Sequence, residues 1–110
     1  MFRRKKPTPT YDLAEIQSQF RNKRGSITGE AADGARAMGL AEKDIYRCIE
    51  SLTEADLHKS MPATHPDAAK AGLWQDVYKP MYKSMQVYLK VQLNKFGRAT
   101  LIQFKDKKKW

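Results

Sequence analysis

Cysteine is nearly absent from this sequence. Cys48 stands alone among 110 residues, so an internal disulfide is excluded. That fits a reducing compartment, with a cytoplasmic protein expected and Cys48 read as a small core residue. Long apolar runs are missing too. None approaches the ~20 residues that a membrane-spanning helix needs. The opening FRRKKPTPT has no apolar segment behind its charges, unlike a secretory signal. Neither a phosphate-binding G-x-x-x-x-G-K-S/T nor a G-x-G-x-x-G occurs. Cys48, His58 and His65 do not have metal-ligand spacing, and no nucleophile elbow supports a Ser–His–Asp triad. Acids are scarce after residue 57, where only Asp67, Asp76 and Asp106 occur, which argues against a two-carboxylate magnesium site. No cofactor is expected.

Positive charge is what the chain has in excess, +9 in all. It is unevenly spread. Residues 1–24 hold seven Lys/Arg against two acids, residues 25–56 three against seven, and residues 57–110 eleven against three. The basic ends surround an acidic middle. Each Lys or Arg that neutralises a phosphate releases a counterion, so a polyanion is the natural partner.

Taken in order, residues 1–9 read as a flexible basic arm, with Arg3, Arg4, Lys5 and Lys6 repelling one another and Pro7 and Pro9 opposing a helix. Thr10 is a plausible N-cap for a helix over 11–22, whose stripe is Leu13, Ile16 and Phe20. Thr28 caps a second helix ending at Gly39 and weakened by Gly34 inside it. A third, over 41–51, buries Ile45, Cys48 and Ile49. Period-two alternation then predicts strands over 57–61, 73–78, 82–93 and 99–105, with 62–72 a loop and 94–97 a hairpin turn. From Met85 to Leu93 every second residue is apolar: Met85, Val87, Leu89, Val91, Leu93. Residues 106–110 form a basic tail on what reads as one domain over 1–110. Helices followed by strands indicate an α+β fold, three helices on one face of a four-stranded antiparallel sheet. If Val87, Leu89 and Val91 face the helices, Tyr88 and Lys90 lie on the open face.

That face would carry Lys59, Gln75, Tyr88, Lys90 and Lys105, with Trp74, Tyr78 and Tyr82 nearby. Aromatic rings stack on RNA bases and lysines pair with phosphates. Trp74 and Tyr78 suit packing better; Gln75 and Tyr88 suit either role. His58 is a tempting acid–base group, but on a regular strand it points away from Lys59.

The blocks Lys59-Ser60-Met61, Trp74-Gln75-Asp76-Val77-Tyr78 and Gln86-Val87-Tyr88-Leu89-Lys90 recur in this order in the MqsR family (motility quorum-sensing regulator), which the chain resembles over about residues 8–106. The resemblance implies a RelE-like fold and an mRNA interferase toxin of a type II toxin–antitoxin pair. Its catalytic Lys, Gln and Tyr fall on Lys59, Gln75 and Tyr88, and a further lysine on Lys105. It also implies a cognate zinc-binding helix-turn-helix antitoxin. His58 departs from the aromatic expected there, and the 62–72 loop is longer. The chemistry implied is attack of the ribose 2′-OH on the adjacent phosphate, leaving a 2′,3′-cyclic phosphate and a 5′-OH. Tyr88 would move a proton, with Lys59 and Lys90 lowering its pKa. Lys59 would stabilise the phosphorane or itself act as the base, Gln75 would orient the substrate, and Lys90 and Lys105 would bind RNA. The alternative is a non-catalytic RNA-binding module using the same face.

Overall fold

The computed structural model describes residues 5–107; the outer parts of the basic arm and basic tail lie outside these. Helix α1 runs Leu13–Arg21 and starts later than expected. Asp12 is the cap, its Oδ1 accepting from the Ala14 N–H at 3.1 Å. Thr10 is drawn elsewhere. The fully buried Asp76 carboxylate accepts the Thr10 N–H at 3.0 Å and the Tyr11 N–H at 2.9 Å. Helix α2, Gly29–Ala37, is capped by Thr28, as expected, and Gly39 follows at a φ of 77°. Gly34 has a purpose inside α2: a Cβ there would sit 1.8 Å from the Phe104 carbonyl oxygen, so only glycine lets this helix lie against the sheet. Helix α3 is Glu42–Ser51, with Asp44 accepting the Ala41 N–H at 2.8 Å.

The strands are β1 (Ser26–Ile27), β2 (Leu57–Pro62), β3 (Trp74–Tyr78), β4 (Met81–Tyr82), β5 (Met85–Leu93) and β6 (Ala99–Asp106). Their order is β1-β6-β5-β3-β2, with β4 paired to β5. The α+β class stands, but the element count is corrected. β1 pairs parallel with β6 and is too short to show alternation. The expected 82–93 strand is split, because Lys83 and Ser84 take positive φ and turn the chain between β4 and β5. The 62–72 loop contains a helix, α4, Pro66–Lys70, whose N-cap is His65.

Helices α1, α2 and α3 cover one face of the sheet. Ile16, Phe20, Ala31, Ala35, Ile45, Cys48 and Ile49 meet Tyr78, Val87, Leu89, Val91, Leu101 and Phe104 there. The alternation in β5 therefore reads as expected, and Tyr78 is a packing residue. Gln19 bolts α1 to the β5–β6 turn: its Oε1 accepts the Ala99 N–H at 2.7 Å and its Nε2 donates to Gly97 O at 2.8 Å. Burial pushes the Cys48 thiol up to about 12, which fits its core reading.

Candidate active site

Strand pairing builds the site on the face away from α1–α3. Lys59 lies opposite Val77, Val77 opposite Lys90, and Lys90 opposite Gln103, one row across four strands. Beside it, Tyr88 pairs with Lys105, and Met61 pairs with Gln75. Residues directly opposite share a face, so this open face carries Lys59, Gln75, Tyr88, Lys90 and Lys105. The Lys105 Nζ is 5.1 Å and the Lys90 Nζ 5.8 Å from the centre of the Tyr88 ring. Two lysine amino groups thus flank one phenol, and Lys59 is close enough to act on Lys90 electrostatically.

Burial decides the proton affinities. Tyr88 is 6% exposed, and desolvation raises its pKa above the ordinary 10.0. The expected lowering by lysines is not met: the cause acting on the phenol is its removal from water, which disfavours the phenolate. Tyr88 therefore keeps its proton at neutral pH. Lys90 moves the other way. Burial first, then Lys105 and Lys59, lower its pKa, which favours the neutral amine.

Gln75 lies at 3% exposure, and among the described residues its Oε1 has no hydrogen-bond partner. The Gln92 Oε1 is in the same state. An unpaired buried carbonyl costs about 1–3 kcal/mol, which a ligand donor can recover. Gln75, Lys90, Gln92 and Gln103 form the floor of a groove of about 880 Å³, with α4 as one wall and Phe96 at its rim. The 62–72 segment is thus a wall of the site. No apolar periodicity announces so short a helix; His65-Pro66, a cap followed by proline at the first helical position, was the available signal.

His58 needs a correction. Leu57 pairs with Tyr78 and Lys59 with Val77, so a bulge leaves His58 without an opposing residue of its own. Strict alternation fails, and His58 lines a shallow pocket together with Lys59. Asp76 was missed as a positioning residue. It interrupts the helix-facing side of β3, and its carboxylate ties the entry to α1 to the strand that bears Gln75. Its signal was a lone acid between Trp74 and Tyr78 on that side.

Residues 8–106 match the family model described as the motility quorum-sensing regulator, toxin of MqsA. The chain belongs to the MqsR toxin family. The mRNA interferase toxin MqsR of Escherichia coli (strain K12) is 31% identical over 102 residues, 93% of this chain and 98% of that protein. The MqsR match includes all five residues of the open face and leaves out Lys5 and Lys6.

Proposed function

We propose that the chain is an mRNA interferase, a toxin endoribonuclease that cuts RNA by attack of a ribose 2′-OH on the adjacent phosphate. The observation that carries this reading is the gathering of the Tyr88 phenol, the Gln75 amide with its unpaired oxygen and three lysines on a single open sheet face, where Gln75 and Lys90 also line the groove. Membership of the MqsR family and the E. coli relative's name support it. The helix-backed antiparallel sheet suits the RelE-like architecture expected of such toxins.

The proton inventory refines the roles. A group that stays protonated serves as the acid, so Tyr88 donates its proton to the leaving 5′-oxygen. The base must be a neutral amine, and the role is assigned to Lys90, whose pKa burial and the neighbouring lysines move in that direction. Lys90 takes the 2′-OH proton, the 2′-oxygen forms its bond to phosphorus, and the bond to the 5′-oxygen breaks as Tyr88 protonates it. The products are a 2′,3′-cyclic phosphate and a 5′-OH. Lys59 and Lys105 stabilise the charge on the phosphorane oxygens. Gln75 accepts a hydrogen bond from the ribose or base and fixes the in-line geometry. The growth-arresting activity is held in check by a cognate antitoxin of the MqsA type, with a zinc-binding part and a helix-turn-helix part.

End-group analysis of single-stranded RNA incubated with the full chain in EDTA tests this. Cyclic phosphate at the 3′ ends and unphosphorylated 5′ ends are expected. Binding with no cleavage, with or without ribosomes, would favour the non-catalytic module.

A further inference from the structure

The bulge at the start of β2 is joined by a second feature that the family match does not cover. Lys6 forms a bridge to the outer edge of β2: its N–H donates to Ser60 O, and the Ser60 N–H donates to Lys6 O, both at 2.8 Å. The Lys6 Nζ lies 4.6 Å over the Trp74 ring. The basic arm is thereby held against the sheet at this point. Lys5, Lys6, Pro7, His58 and Lys59 line a shallow, open pocket of about 230 Å³.

Around His58 stand Lys79, Lys59, Lys5 and Lys107, from the end of β3, β2, the arm and the end of β6. Among the described residues none of these four lysines has an ion pair. Like charges repel, and gathering them on one strand edge is unfavourable unless an anion relieves it. Lys59 belongs both to this pocket and to the open-face row, so the pocket adjoins the reacting centre.

We propose that Lys5 and His58 form, with Lys59, a second phosphate subsite for single-stranded RNA at the bulged edge of β2, beside the phosphate that reacts. The inference rests on the ribonuclease reading above and extends it. The RNA backbone leaves the groove past Lys59 and crosses the strapped arm. Partial desolvation and the surrounding lysines lower the pKa of the exposed His58 below its ordinary 6.5, which favours the neutral ring in the unliganded protein. A phosphate in the pocket favours the imidazolium and reverses that shift. Binding then takes up a proton and tightens as the pH falls through the region of 6.5 and below.

The test uses the full chain and a labelled, fully 2′-O-methyl single-stranded oligonucleotide, which lacks the attacking hydroxyl. Affinity is measured by fluorescence anisotropy against salt and pH. Lys5→Ala is expected to bind more weakly and to lower the slope of log affinity on log salt by about 0.7, one phosphate contact. His58→Asn is expected to lose the tightening toward acid pH. Lys6→Pro, which removes the N–H that donates to Ser60, is expected to lose more affinity than Lys6→Ala. Thermal melts by circular dichroism verify that each variant is folded. Unchanged salt slope in Lys5→Ala together with an unchanged pH profile in His58→Asn would overturn the subsite, as would absence of binding by the unmodified chain. If the unmodified chain binds as described but leaves all-ribose RNA intact, the ribonuclease reading fails and the subsite stands.

Discussion

Gly34→Ala sets two effects of opposite sign against each other. In an exposed helix interior the change stabilises by about 1 kcal/mol, since alanine is the best helix former and glycine among the worst. In α2 the added carbon would lie 1.8 Å from the Phe104 carbonyl oxygen. That atom is backbone of β6, so no side-chain rotation can move it away. Either α2 lifts from the sheet by roughly an ångström or β6 bends, and close-packed interiors give little. Lifting α2 also withdraws Ala31 and Ala35 from the core. Overpacking costs typically about 1–3 kcal/mol and sometimes more, and a clash with backbone belongs at the upper end. The net expectation is a loss of about 2 kcal/mol. For a domain near this size that is a fall in Tm of roughly 10 °C. Urea and thermal unfolding followed by far-UV circular dichroism would measure it, with a lower midpoint at unchanged slope. A variant as stable as the parent, or more so, would refute the reasoning and make Gly34 a plain weakness in the helix.

Three further outcomes follow from the same geometry. Asp76→Ala leaves the Thr10 and Tyr11 N–H groups without their acceptor beside a buried strand, and a loss of about 2–4 kcal/mol in urea unfolding is expected. Asp44 has a pKa lowered by the Ala41 N–H, the Tyr82 hydroxyl and Lys83; a depressed carboxylate stabilises fully above its ordinary 3.8 and loses this as the pH falls, so Asp44→Asn is expected to flatten the acid limb of the stability curve below about pH 4. Cys48, buried and with its thiol pushed up to about 12, is expected to react with a thiol reagent only on unfolding, as followed by absorbance; prompt reaction in the native state would contradict its burial.

Much of the scaffold was legible because it repeats. Val87, Leu89 and Val91 announce one face of β5, and placing them on the helices puts Tyr88 and Lys90 opposite. Thr28 and Gly39 announce the ends of α2 through local capping chemistry alone. What escaped was what tertiary contacts decide. Thr10 looks like a cap until the distant Asp76 claims its N–H. Ser26 and Ile27 form a strand only because β6 lies alongside. His58 was misplaced by a single bulge, since one extra residue cancels the alternation from which its direction was inferred. Pattern places Tyr88 and Lys90 on the open face, where they lie, but their proton affinities depend on burial depth, which the sequence does not specify.

The central claim is that the protonated Tyr88 phenol delivers a proton to the leaving oxygen. Single-turnover cleavage of one RNA by the parent and by Tyr88→Phe, across neutral and alkaline pH with binding measured alongside, tests it most directly. Because burial raises the Tyr88 pKa above 10.0, the parent should show no loss of rate from phenol ionisation until beyond that pH. Tyr88→Phe is expected to bind RNA as the parent does and to cleave on the order of 10²-fold or more slowly, the usual contribution of a general acid. Equal cleavage by the two proteins would remove Tyr88 from the chemistry and contradict the account.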